Sequence, residues 1–196
     1  AHLISPAIDK DAFVRSHLVQ PALFVRVKRN AISTVTQLLD NEGLAYTQLG
    51  PYTLAFENGS KVQQVKGLEG LLEVQDYSSQ RTAELLQIQP GDKWWDACAA
   101  SGGKALMLLD EYPQTNLLVS DIRLSILRNL EERFERAQMH ADYRLKVIDL
   151  TLDPELELGE EQFDGILVDA PCTGSGTWGR TPELIAQFEE GKLLDY

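Results

Sequence analysis

The sequence predicts an α/β protein in two parts: a small α+β unit over residues 1–69, then an incomplete parallel sheet wound with helices over 70–196. Three observations carry this. From Gly70 onward, short apolar strands alternate with helices of roughly ten to fifteen residues, the pattern of βαβ units. Before Gly70, short strands are separated by turn residues such as Asn58-Gly59. The charge divides at the same place: residues 1–69 hold seven Lys/Arg and six Asp/Glu, against eleven and twenty-four in 70–196.

In order, a short helix is expected from Asp9, as N-cap, to Leu18, then a strand at Leu23–Val27. A helix follows over Ser33–Asn41, closed by Gly43. Strands at Tyr52–Phe56 and Lys61–Val65 flank the Asn58-Gly59 turn. In the second part a helix ends at Leu85–Ile88, before Pro90-Gly91. A strand at Trp94–Ala97 leads to a helix at 102–111, and a strand at Asn116–Ser120 to an amphipathic helix at Leu124–Gln138. Strands at Tyr143–Ile148 and Gly165–Val168 follow, the latter read as buried, with the acidic run Asp153–Asp164 between them as a solvated loop. Arg26, Lys28 and Arg29 close one strand and Lys61 and Lys66 lie on another. They read either as a solvated face or as a modest phosphate-contacting patch.

Composition narrows the function. The chain of 196 residues is 43% hydrophobic and 24% charged, which is globular, and its net charge of −12 argues against nonspecific nucleic-acid binding. Two cysteines, Cys98 and Cys172, are too few for a disulfide framework or a thiolate-rich zinc site, so a reducing, cytoplasmic setting and no metal are expected. No apolar run approaches the ~18 residues of a membrane span, and no membrane partner is expected. The chain opens on Ala1 without a signal-peptide pattern and is expected to be part of a longer protein.

Three motifs bear chemistry. Asp96-Ala-Cys-Ala-Ala-Ser-Gly-Gly-Lys104 sits where the first strand of the second part turns into a helix, and its small residues let backbone approach a ligand at the helix N-terminus. A nucleotide P-loop is excluded, because Cys98 stands where that motif needs Gly and Ala105 where it needs a hydroxyl. Asp121 closes the next strand, eighteen residues after Gly103, where an acid can bond both hydroxyls of a ribose. NAD and S-adenosylmethionine both offer that ribose, and an N-cap role for Asp121 is the structural alternative. Asp149, closing the third strand, is placed to reach an adenine edge. The third motif is Asp169-Ala-Pro-Cys172-Thr-Gly-Ser-Gly-Thr followed by Arg180-Thr-Pro-Glu183. Its Gly174-x-Gly176-x-x-Gly179 mimics a dinucleotide fingerprint, but Asp-Ala-Pro-Cys separates it from the strand and Pro182 follows at once. What remains is a carboxylate and a thiol beyond the carboxyl end of a strand, where doubly wound folds place ligands.

Together these segments resemble the RNA 5-methylcytosine methyltransferases, the family of the bacterial ribosomal-RNA enzyme Sun/Fmu and the nucleolar Nop2-type proteins. Asp96 through Lys104 is similar to the family's Asp-x-Cys-Ala-Ala-Pro-Gly-Gly-Lys loop, with Ser101 in place of Pro. Asp169-Ala-Pro-Cys-Thr-Gly-Ser-Gly and Arg180-Thr-Pro-Glu match the family's Asp-Ala-Pro-Cys-Ser-Gly-x-Gly and its follow-on. Leu23–Val27 and Val74–Gln80 resemble further family segments. The resemblance implies a Rossmann-like domain that holds S-adenosylmethionine through Cys98, Ala99, Ala100, Ser101, Gly102, Gly103, Lys104, Asp121, Asp149 and Asp169. It implies RNA as partner, ribosomal in preference to transfer RNA, with Asp169 contacting the cytosine and Cys172 assisting product release. The family's nucleophile lies in a later Thr-Cys motif that this sequence does not contain, so the chain by itself is expected to turn over poorly. A non-catalytic RNA- or cofactor-binding module of the same fold and an NAD-dependent oxidoreductase are the alternative readings. Lacking neighbouring strands, Gly165–Val168 is expected to be an edge that invites self-association.

Overall fold

The computed structural model describes residues 5–189 and 191. Two compact units form, one from Leu23–Asp169 and the other from the two chain ends, residues up to Ala22 with those from Ala170. In the latter unit, helix α1 (Lys10–Ser16) begins where the Asp9 carboxylate accepts from the N–H groups of Asp11 and Ala12 at 2.9 and 3.0 Å. Trp178 joins the unit's aromatic contacts, tilted on His17 with centroids 5.9 Å apart.

In the larger unit, β1 (Leu23–Val27), α2 (Ile32–Asn41), β2 (Thr47–Gln48), β3 (Thr53–Phe56) and β4 (Leu72–Val74) come first. The four strands make an antiparallel sheet in the order β2-β3-β1-β4. Val25, Val27, Val35, Leu39, Leu54 and Phe56 form its core, with α2 laid on one face. β4 lies past residue 69, so this sheet extends beyond the boundary read from composition. The segment expected as a strand at Lys61–Val65 is instead a single 3-10 turn, Val62–Gln64. Val62 and Val65 both meet the core, and a spacing of three puts them on one face of such a turn but on opposite faces of a strand.

The chain continues through α3 (Tyr77–Gln80), a 3-10 turn at Arg81–Leu85, β5 (Lys93–Asp96), α4 (Gly103–Glu111), β6 (Asn116–Asp121), α5 (Leu124–Arg136), β7 (Tyr143–Val147), α6 (Glu155–Leu158) and β8 (Gly165–Leu167). Helical turns stop at Leu85 rather than running to Ile88, since the residues leading to Pro90 favour extended backbone. The acidic run expected as a loop contains the exposed single turn of α6. The remaining helix, α7 (Glu183–Gln187), belongs to the chain-end unit.

β5 to β8 form a parallel sheet in the order β7-β6-β5-β8. Period-two alternation explains its layering. Trp94, Leu117 and Val119 face α4 and α5 with Leu106, Leu127, Leu130 and Phe134, while Trp95, Leu118 and Ile148 pack on the opposite face. Among the described residues β8 pairs only with β5 and is an edge, as expected, but of the segment read as buried only Leu167 is so: Ile166 and, just beyond β8, Val168 are 52% and 60% exposed.

Three of the five cations read as a surface group are structural ties. Arg26 is 5% exposed in the inner strand β1 and pairs with Asp110 of α4 at 2.6 Å. The Lys28 ammonium donates to the Ala137 carbonyl, and Arg29 donates to the Glu111 carbonyl at 3.0 Å while lying over the Tyr52 ring. These contacts join the antiparallel sheet to α4 and to the end of α5. Only Lys61 and Lys66 of the five stand exposed without such a role.

Candidate cofactor and active site

The parallel sheet aims its carboxyl ends at one loop. Beyond β5, the Ala97 N–H bonds the Leu167 carbonyl at 3.0 Å and the Ala99 N–H bonds that of Ser120 at 2.8 Å, so the loop leaves the sheet between β8 and β6. It then turns sharply through Ala100 at φ +46° and Gly102 at φ +78°. Both angles lie in the left-handed region, which costs a non-glycine residue about 1–2 kcal/mol. At Ala100 the Asp121 carboxylate offsets that cost by accepting the Ala100 N–H at 3.2 Å. At Gly102 a side chain would lie 2.6 Å from Leu130 Cγ, so glycine is required twice over. α4 begins at once, with free N–H groups at its first turn.

A cleft of about 230 Å³ opens at this loop. Its walls include Cys98 through Ser101, Gly103 and Lys104, with Gln75 and Ser79 from the segment after β4, Arg133 from α5, and two carboxylates, Asp96 and Asp169. Larger hollows of about 570 and 770 Å³ lie elsewhere along the seam between the sheets, but neither contains a buried unpartnered charge.

Asp96 is the unusual group. It ends β5 at 1% exposure, and neither carboxylate oxygen has a hydrogen-bond partner among the described residues. Burial pushes its pKa up to about 7, and the negative charges of Asp169 and Asp121 push the same way; Lys104 and the nearby Cys98 N–H oppose them less strongly. In the sequence Asp96 stands as the start of the loop motif with no role of its own, Gln75 and Ser79 lie in the family-like segment Val74–Gln80 but with no role read for them, and Arg133 carries no signal. The signal for Asp96 was its place as an acid at a strand's carboxyl end, one residue before the small-residue run.

The Asp169 carboxylate takes an ion pair from Lys104 Nζ across the cleft. Asp121 is 6% exposed at the end of β6. Burial alone would raise its pKa, but bonds from the Arg123 side chain and N–H and from Ala100 outweigh it and hold the carboxylate below its ordinary range. Cys98 is pushed up by burial and by Asp121, Asp96 and Asp169, which keeps it a neutral thiol at neutral pH. Asp149 lies off this cleft and folds back on Thr151, accepting from its N–H and hydroxyl at 2.9 and 2.7 Å. Cys172 is exposed and belongs to the chain-end unit. Among the described residues, no group of three or more His, Cys, Asp or Glu side chains could hold a metal ion.

A parallel sheet with a glycine loop after its first strand and an acid after its second defines a Rossmann-like fold. The crystal structure of PH0851 superposes with a TM-score of 0.82 at 26% identity, covering 93% of this chain and 42% of that one. A methyltransferase homolog protein from Pyrococcus horikoshii shares the fold with a TM-score of 0.65 at 23% identity, covering 88% and 58%. The chain belongs to the 16S rRNA methyltransferase RsmB/F family, whose model matches residues 83–195. Curated relatives agree. Ribosomal RNA small subunit methyltransferase B of Xylella fastidiosa (strain 9a5c) is 37% identical over 164 residues, 82% of this chain and 38% of the relative. That of Cronobacter sakazakii is 33% identical over 178 residues, 88% and 41%. The chain thus spans about two fifths of the length of these relatives.

Proposed function

We propose that this chain is the cofactor-holding part of an S-adenosylmethionine-dependent ribosomal RNA cytosine-C5 methyltransferase acting in the cytoplasm. The RNA-facing role is assigned to the antiparallel sheet, which runs past residue 69 through β4, and the methyltransferase role to the parallel sheet of β5 to β8. The observation that carries the reading is the buried, unpartnered Asp96 carboxylate beside the glycine loop. A buried carboxyl that is costly to ionise without a partner suits a ligand that brings a cation. S-adenosylmethionine, when bound, supplies an activated methyl group on a sulfonium, together with an ammonium, a carboxylate and a ribose. Asp96 would receive positive charge, while Lys104 and the first-turn N–H groups of α4 would receive the carboxylate. Asp121 would take the ribose hydroxyls by releasing Arg123, whose side chain is exposed. Cys98 through Gly103 form the floor, and Asp149 is assigned to the adenine edge.

Cytosine carbon 5 becomes nucleophilic only after a thiolate adds to carbon 6, and a base must later remove the carbon-5 proton. Asp169, held by Lys104 at the mouth of the cleft, would contact a base extruded from its stack. Cys98 is unsuited to attack because its thiol is held protonated. Cys172, exposed beyond the Asp-Ala-Pro turn, is assigned to product release. Neither cysteine follows a threonine, which favours the second reading for the chain by itself, a cofactor- or RNA-binding module without turnover.

Calorimetry with S-adenosylhomocysteine and, separately, NADH tests the cofactor. The expected result is binding of the first alone; NADH binding, or neither, would sink the assignment. Asp121→Ala should weaken S-adenosylhomocysteine by on the order of 1–3 kcal/mol, the scale of hydrogen bonds to a charged group. Unchanged affinity in a folded variant would remove Asp121 from the site. The exposed β8 edge, with Ile166 and Val168 outward, should make the chain self-associate. A monodisperse monomer by light scattering would contradict that expectation.

A further inference from the structure

The glycine loop is braced by two polar ties in the wall of the cleft, and both begin in the antiparallel sheet. α5 presents Leu130, Arg133 and Phe134 on one face by their spacing of three and four. Leu130 and Phe134 fill the space where a side chain on Gly102 would lie. Arg133 Nη1 sits 3.3 Å from where a Cβ on Gly103 would be, and donates to Ser101 Oγ at 3.3 Å and to the Ser101 carbonyl at 3.4 Å. The other side of the same guanidinium donates to Glu73 of β4, Nε at 2.9 Å and Nη2 at 2.8 Å. Glu73 stands directly opposite Arg26 in the sheet register. One residue beyond β4, the Gln75 side chain donates to the Gly103 carbonyl at 3.3 Å while its Oε1 accepts from Arg26 Nε at 3.1 Å.

Both ties end on Ser101–Gly103, the stretch that follows the left-handed turn at Ala100. Strained backbone of this kind persists only where its surroundings over-determine it. We propose that Arg133 is a positioning residue for the glycine loop. Bridging Glu73 and Ser101, it holds the loop amides in their ligand-receiving arrangement and makes the antiparallel sheet a structural part of the cofactor site. The planar fork is what allows it. A lysine reaches one partner as a point charge, not both. The consequence for ligand affinity rests on the cofactor reading given above; the effect on the loop does not.

Amide hydrogen exchange on this chain tests the proposal directly. Arg133→Ala should speed exchange at residues 100–104 about tenfold or more while β6 amides stay protected, because the change is a local opening. Arg133→Lys should fall between the two. Combining Arg133→Ala with Glu73→Gln should add nothing further, since both remove one bridge. Unchanged loop exchange in Arg133→Ala would overturn the proposal. If that variant loosens β6 as well, Glu73→Gln decides: acceleration confined to the loop supports the bridge, and none overturns it. In calorimetry, Arg133→Ala should lose about tenfold in S-adenosylhomocysteine affinity and keep its affinity for adenosine, which lacks the amino-acid end. Native-like affinity for S-adenosylhomocysteine in Arg133→Ala would also overturn the proposal. Failure of the native chain to bind S-adenosylhomocysteine would refute the cofactor reading, and the exchange result would then decide the role of Arg133 without it.

Discussion

Replacing Asp96 by Asn should make the ligand-free protein progressively more stable than the native one as pH rises from 5 to 8, by about 3 kcal/mol over that window. The Asp96 carboxyl has a pKa of about 7 in the folded chain, raised by burial and then by Asp169. In the unfolded chain it titrates near 4. Between those values the folded state binds the extra proton. Native stability therefore falls as pH climbs from about 4 through 7, and is level above. The amide does not ionise, so Asp96→Asn escapes this fall. Urea denaturation of both proteins at pH 5 and pH 8 measures the divergence. Parallel stabilities at the two pH values would show that Asp96 is not held as a buried carboxyl. The same variant should bind S-adenosylhomocysteine about tenfold more weakly, because an amide cannot match a cation. A gain in stability with a loss in affinity is the signature of a group kept for its ligand.

Gly102→Val should destabilise the larger unit by about 3–5 kcal/mol, combining a β-branched residue in left-handed backbone with overpacking of a filled site. A Cβ at Gly102 would stand 2.6 Å from Leu130 Cγ and 3.0 Å from the Phe134 ring, and neither is the free end of a flexible chain. Because α5 packs against the sheet through these residues, it cannot retreat without opening the core. Thermal unfolding should show a fall in Tm on the order of 10 °C. Gly50→Ala is the control: nothing lies within 4 Å of its Cβ position, and its Tm should stay near native. Equal Tm values for the two variants would refute the packing argument.

The glycine loop, the strand before it and the acid at Asp121 were legible in the sequence because each is a local pattern. A short apolar strand, a run of small residues and a helix start need no information from elsewhere in the chain. The alternation of strands with helices revealed the parallel sheet, and the structure adds that both its faces are apolar, Trp94 and Leu117 on one and Trp95 and Leu118 on the other. β2 and β4 were not legible, because Thr47–Gln48 has no apolar residue and Leu72–Val74 is too short to show a period, whereas the equally short β8 was legible from its continuous apolar run. Nor was the turn at Val62, where two valines three apart fit a short helix as well as a loop edge.

The sequence by itself determined the family, the order of the strands and helices around the cofactor loop, and the residue types available to hold a ligand. Only the tertiary structure decided what those side chains do. Arg26 and Lys28 look like surface cations along the chain, yet one is buried against Asp110 and the other donates to a carbonyl at the end of α5. Asp96 looks like the first letter of a motif, yet folding removes it from water and leaves its oxygens unpartnered. Arg133 reads as one charge among several on an amphipathic helix, yet it bridges Glu73 and Ser101, 60 and 32 residues before it in the chain. The reason is common to all of them: charge type is written locally, but desolvation and pairing depend on which distant segments the fold brings within a few ångströms.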